Sequence, residues 1–201
     1  MKKLLVLSMV LFSAMMSAQD MKLSKDLKFL KDEKVVNIEF DYSKLKLLKE
    51  NLTEAEYIEN RAKDLNEKNK SVGDIWKKKW MSSKDMIWNP KFMELINVVL
   101  SKGKKDLTFQ EGQTSAKYTL IVEVVWIYPG WDAAVMKQPA KVTTNLKFVE
   151  TANRSNVVAE IFSEHAPGDQ WGNNFSNESR IGEGFAKTGK SLAKMILKAI
   201  K

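Results

Sequence analysis

The sequence predicts a single α+β domain, a mainly antiparallel sheet of about five strands with helices packed on one face. Three observations predict it. Apolar residues recur with a period near 3.6 through most of the first half and near 2 through most of the second. A 44% hydrophobic content with six tryptophans supplies a packed core. No repeat, low-complexity stretch or linker interrupts residues 19–201, so they read as one domain of about 180 residues, a length that buries roughly 70% of its unfolded surface.

The chain opens with a secretion leader. Lys2 and Lys3 form a positive start, Leu4 to Met16 is an apolar stretch, and Ser17-Ala18-Gln19 is a small-residue cleavage site. Residues 1–18 are therefore expected to be removed as a signal peptide. The apolar run is too short to span a bilayer as a permanent helix. With no cysteine in the chain, neither a lipid anchor nor a disulfide framework is expected. The expected location is periplasmic or extracellular, in soluble form.

Val35 to Phe40 reads as the first strand, rich in β-branched residues with partial alternation. Thr53 and Glu56 stand at capping-box spacing, flanked by Leu52 and Tyr57 as a hydrophobic staple. The helix they open carries Ile58, Ala62 and Leu65 on one stripe. Ser71 and Asp74 start a second helix with Ile75, Trp76 and Trp80. Asn89-Pro90 starts a third, an N-cap followed by proline, whose core face holds Phe92, Leu95, Ile96 and Val99 and which Gly103 stops.

Lys105–Gln110 is a short strand. Tyr118–Tyr128 is a long one, with Tyr118, Leu120, Val122, Val124, Trp126 and Tyr128 on one face. Lys141–Glu150 alternates Val142, Thr144, Leu146 and Phe148 against polar residues, and Val157–Ser163 returns after a turn at Asn153–Asn156. A last helix from about Ser179 to Ile200 sets Ile181, Phe185, Thr188, Leu192, Met195 and Ala199 against a lysine face.

Several of these segments resemble a family of small exported bacterial envelope proteins of unknown function. They are Ala116–Leu120, Lys141–Val149, Val157–Ile161, Arg180-Ile181-Gly182 before the lysine-rich helix, and Val36–Phe40. The resemblance covers about 60% of residues 19–201 as a pattern of elements and implies a sheet packed by helices. It brings no catalytic residues, and Lys70–Ser101 does not match it.

Composition limits the chemistry. The one histidine, His165, excludes a multi-histidine metal site, and no cofactor or metal is expected. The net charge of +8 includes Lys2 and Lys3; it reads as solubility before it reads as attraction to anionic surfaces, and nucleic acid is not an expected partner. Trp76, Trp80 and Trp88 lie among Lys77, Lys78, Lys79 and Lys84, a mixture suited to peripheral membrane contact. At helical spacing, the core is the favoured place for these tryptophans.

Gly184–Ser191 matches the Walker A pattern letter for letter. A phosphate loop follows a strand directly, whereas here the preceding strand ends some twenty residues upstream and helical apolar spacing runs through the motif. No nucleotide is expected, and the glycines read as points of close helix packing.

If the three long strands are antiparallel neighbours, the segments Pro129–Pro139 and Glu164–Glu178 leave the sheet at the same end. Together they hold the candidate ligand-binding residues: Tyr128, Trp131, Asp132, His165, Asp169, Trp171, Asn173 and Phe175. Aromatics beside Asn and Asp suit stacking and hydrogen bonding to an envelope glycan or peptide. The competing reading folds Trp131, Trp171 and Phe175 back over the core. A glycan or peptide hydrolase requires Asp132, Glu164 or Asp169 to converge in pairs. The expected function is a non-enzymatic binding or structural accessory protein of the envelope, with a glycan, peptide or protein partner.

Overall fold

In a computed structural model, the described residues are 19–133, 136–168 and 176–201. The expected leader lies outside them, as do Asp169, Trp171, Asn173 and Phe175. In chain order the elements are β1 (Asp20–Leu23), β2 (Val35–Asp41), β3 (Lys46–Leu47), β4 (Leu52–Thr53), α1 (Glu54–Lys68), α2 (Val72–Ser83), α3 (Asn89–Lys102), β5 (Thr108–Gln110), β6 (Tyr118–Tyr128), β7 (Trp131–Asp132), β8 (Lys137–Gln138), β9 (Ala140–Glu150), β10 (Val157–Gly168) and α4 (Asn177–Ala199).

The architecture is α+β, with an eight-stranded sheet in place of about five strands. Its main path runs β1-β10-β9-β6-β2-β5. Strands β1, β10, β9 and β6 pair antiparallel. Strand β2 runs parallel to both β6 and β5, because the helical stretch between β2 and β5 carries the chain back before β5 pairs. The far end of β6 receives β3 in parallel, and β4 closes a hairpin onto β3. Strands β1, β3 and β4 are too short for alternation to reveal them in the sequence.

One face of this sheet meets the helices. Ile38, Leu120, Val122, Leu146, Phe148 and Ile161 come from the strands, and Trp80, Trp88, Phe92, Ile96, Phe185 and Leu192 from the helical layer; all are fully buried. The opposite face is polar and internally bonded. Asn145 donates to Glu160 at 2.6 Å, and Glu123 accepts from Lys44 and Lys147 at 2.6 and 3.1 Å. Burial is the largest influence on the Glu123 carboxyl and raises its pKa, but the two lysines outweigh it and hold the pKa below the ordinary value.

The N-terminus of α1 forms as its sequence predicts. The Glu56 backbone N–H donates to the Thr53 hydroxyl, and the Glu56 carboxylate accepts from the Thr53 N–H at 2.7 Å. Ser71 precedes α2 in a left-handed conformation and makes no side-chain cap; the Asn66 side chain accepts from the Gly73 N–H instead. Asn89 is not an N-cap. The chain passes from α2 through a π-helical turn, Lys84–Trp88, directly into α3, and Asn89 is itself helical. Pro90 has no N–H to give, and the wider turn before it avoids the clash a proline imposes on a regular helix. The freed Asn89 side chain accepts from the Tyr42 hydroxyl at 2.7 Å.

Trp80 and Trp88 are fully buried, edge to face at 5.1 Å, and Trp88 stacks on Phe185 at 5.9 Å. These rings are core, and Lys77, Lys78 and Lys79 face outward. Within α4, Gly184–Ser191 is continuous helix. A Cβ on Gly184 would meet Val142 at 2.7 Å, and one on Gly189 would meet the Phe92 carbonyl oxygen at 2.4 Å. The glycines thus let α4 approach the sheet and α3.

Two irregularities redirect the end of the sheet. In β6 the pairing steps from Val124↔Thr144 to Trp126↔Thr143, which leaves Val125 as an extra residue. The alternation therefore reverses: Ile127 takes the buried position, while Trp126 and Tyr128 turn to the polar face, not the core face the unbroken alternation predicts. Strand β10 slips between Ser163 and Ala166, where His165 adopts φ +51°. This strand extends to Gly168, so His165 and Pro167 belong to it and not to a loop.

Candidate functional site

The strand order β6-β9-β10, all antiparallel, brings the strand ends Tyr128 and Gly168 to one end of the sheet. The first is more ordered than a loop. Gly130, at φ +69°, bends the chain where a Cβ would lie 2.4 Å from the Gln138 carbonyl oxygen. Trp131 and Asp132 then pair with Gln138 and Lys137 as the hairpin β7–β8.

Gln138 orients two of the expected site residues. Its side-chain oxygen accepts from the Tyr128 hydroxyl at 2.9 Å and from the Trp131 indole N–H at 3.1 Å. Trp131 keeps 41% of its surface exposed, so it does not fold back into the core. Tyr128 stacks on Trp126 at 6.3 Å, and Trp126 lies 5.1 Å from the His165 ring. The Trp126 indole donates to the Leu48 carbonyl at 2.7 Å. His165 is thus a buttress behind the Trp126–Tyr128 pair, and its backbone N–H donates to the Thr143 hydroxyl.

Tyr128, Trp131 and Asp132 line one wall of a groove of about 530 Å³, within the range of small-ligand sites. Leu48 and Leu52, from the β3–β4 hairpin, form part of its floor. Leu48 sits at φ +62°, with its N–H on the Ile127 carbonyl. The facing wall is α1, which presents Tyr57, Asn60, Arg61 and Asp64. Their spacing of three, four and seven residues places them on one helical stripe. Asn177 and Arg180, from the first turn of α4, close the end.

Sequence reasoning missed this second wall. Of the apolar stripe Ile58, Ala62 and Leu65, Ile58 is buried in the core and the other two are half-buried; the i, i+3, i+4, i+7 set beside it was the available signal.

The groove is electrostatically unusual. Arg180 is 4% exposed, and its Nε and Nη1 are buried without a hydrogen-bond partner. Its Nη2 donates to the Asn177 side chain. The Nε of Arg61 is likewise buried and unpartnered. Burial pushes the Tyr57 phenol up to about 12, with the Arg61 charge pulling against it. Glu178, next to this end of α4, is buried against Lys79 at 3.3 Å. Burial alone raises its pKa, but the Ser176 hydroxyl, a backbone N–H and Lys79 together hold it below the ordinary value.

Of the expected acids, Asp132 lines the groove and Asp169 lies outside the described residues. Glu164 stands opposite Asp20 at the β1–β10 pairing and does not line the groove. Among the described residues, no cluster of three or more acids or histidines is arranged to hold a metal. No described helix is long and apolar enough to cross a membrane.

Fold and groove together define an α+β protein with a cleft at one end of its sheet lined by aromatic rings, two arginines and two aspartates. No protein-family model and no curated protein matches the chain. Among solved structures, the chain is similar to the PelC dodecamer from Paraburkholderia phytofirmans, at 11% identity, TM-score 0.41, and coverage of 87% of this chain and 97% of that one. A substituted form of the same dodecamer gives 10% identity and TM-score 0.38, covering 90% and 99%. A likeness at this level transfers neither assembly nor function.

Proposed function

We propose that this chain is an exported, non-enzymatic binding or accessory protein of the cell envelope, and that it takes its ligand in the groove between β7, α1 and the start of α4. Export rests on the composition of residues 1–18. Binding rests on one observation above the rest: Trp131 is 41% exposed on the wall of a 530 Å³ groove while its indole is fixed by Gln138. An exposed aromatic held in one orientation is a stacking platform with little ordering entropy left to lose. Tyr128 continues the platform, and Asp132, Asn60 and Asn177 add groups that bond hydroxyls or amides. His165 supports this wall from behind. Asp169, Trp171, Asn173 and Phe175 belong to the same proposal only by their place in the sequence after Gly168. The partner classes are an envelope glycan, a peptide or a protein.

The rival reading is a hydrolase using Asp132, favoured by the presence of Asp64 on the facing wall.

The test is tryptophan emission of wild type and Trp131→Ala, titrated with envelope oligosaccharides, peptides and anionic vesicles. A saturable change in wild type, lost in Trp131→Ala with stability held within about 1 kcal/mol, is the expected result. Absence of any saturable change, or equal binding by Trp131→Ala, overturns it. Ligand turnover abolished by Asp132→Asn establishes the hydrolase.

A further inference from the structure

Arg180 is the strangest residue in the protein. It belongs to the first turn of α4, is 4% exposed, and leaves two guanidinium nitrogens, Nε and Nη1, buried with no acceptor. Arginine is always charged, and a buried charge without partners is costly. Folded proteins satisfy such groups with protein, water or ligand, so the orphaned donors need an explanation. Glu178 does not supply one. Its carboxylate is engaged by Ser176 and Lys79. Among the described residues Arg180 makes no ion pair; it is held by its one bond to Asn177.

Both residues line the groove, and Arg61 lines it from α1 with its own unpartnered Nε. Two guanidinium groups lining one cleft, each with a donor that no protein acceptor takes, suit the receipt of an oxyanion by charge-assisted hydrogen bonds.

We infer that the groove binds an acidic saccharide, with the carboxylate of a uronic acid received by Arg180 and Arg61 and a sugar ring laid on Trp131. This rests on the groove being the ligand site. The chemistry around the arginines favours a sugar. Trp131 offers an exposed flat face for the C–H side of a pyranose. Asn60 and Asn177 present amides, and Asp64 and Asp132 present acceptors for hydroxyl protons. Those two carboxylates also repel a ligand of high charge density, so an anion diluted along a saccharide suits the cleft better than a free polyphosphate.

The test is calorimetric titration of the protein with an oligogalacturonate, its carboxyl-reduced neutral counterpart, a sugar phosphate, and a peptide with a free C-terminal carboxylate. The uronate is expected to bind and the neutral sugar to bind about 10- to 100-fold more weakly, the loss appropriate to charge-assisted bonds. Arg180→Met should lower uronate affinity by a similar factor. It should also leave the urea midpoint unchanged or raised, since it removes an uncompensated buried charge. Should Arg180→Met not fold, Arg61→Gln, at a half-buried position, reads the same loss.

Equal binding of neutral and acidic sugars overturns the acidic-ligand inference and leaves the groove as a site. Preference for the sugar phosphate or the peptide overturns the uronate assignment. Unchanged uronate affinity in both arginine variants removes these residues from recognition. Binding of none of the four overturns this inference alone if another ligand still gives a Trp131-dependent signal, and the groove reading with it if none does.

Discussion

Gly189→Ala tests the packing that replaces the nucleotide-loop reading of α4. In a free helix, alanine is more stable than glycine by about 1 kcal/mol. The structure predicts the opposite sign. A Cβ on Gly189 falls 2.4 Å from the Phe92 carbonyl oxygen and 3.2 and 3.3 Å from its carbonyl carbon and Cα, whereas ordinary contact begins at 3.4 Å. The shortfall is about 1 Å, and it lies against backbone, which no rotamer change relieves. Helix α4 must therefore retreat from α3. Thr188 and Leu192 on α4, and Phe92 and Ile96 on α3, are fully buried. A gap of 0.5–1 Å forfeits roughly a quarter to a half of each dispersion contact across such an interface. Overpacking of this kind costs about 1–3 kcal/mol, and the backbone partner places it at the upper end. After the gain in propensity, the net loss is about 2 kcal/mol, or roughly 4–8 °C in Tm for a domain of this size. Urea unfolding followed by tryptophan emission measures it, with a lowered midpoint and an unchanged slope. Lys190→Ala, at the exposed neighbouring position, should stay within about 0.5 kcal/mol. A Gly189→Ala protein as stable as wild type, or more so, refutes the close helix approach.

Trp80→Ala should cost about 3–5 kcal/mol in the same assay, because it empties a fully buried position between Tyr57 and Trp88 and strips Glu54 of an indole N–H at 2.9 Å; a loss under about 1 kcal/mol contradicts the core assignment. Thr53→Ala should cost about 1 kcal/mol by removing the α1 cap, readable as a Tm drop of roughly 2–4 °C. For pH, the folded pKa of Glu178 lies below its ordinary 4.5. Its contribution to stability is therefore complete above that value and is lost as pH falls through the lower folded pKa. Urea midpoints should decline with acid below about pH 5, and Glu178→Gln should show a shallower decline; parallel curves would refute the role assigned to Lys79 and Ser176.

What the sequence by itself determined was local. Period-2 and period-3.6 patterns place β2, β6, β9, β10 and α4 to within a few residues at most ends, and Thr53/Glu56 fix the start of α1, because alternation and capping are properties of neighbours along the chain. The α+β class follows from those elements. The antiparallel order of the long strands also anticipates Tyr128, Trp131 and Asp132 near the end of the sheet.

Tertiary structure alone decided the rest. The parallel pairing of β2 with β6 depends on where a helical crossover returns, and a strand's pattern does not encode its partner. One extra residue at Val125 reverses the face of Trp126 and Tyr128; pleating makes that switch binary, and nothing in the residue itself announces a bulge. Proline at position 90 marks a helix start in sequence, yet a π-turn absorbs it inside a longer helical path. Arg61 and Arg180, more than a hundred residues apart, look in sequence like ordinary charged residues of two helices. Their unpaired donors exist only because the fold buries Arg180 and the Nε of Arg61 beside one groove, and burial is a property of the assembled chain.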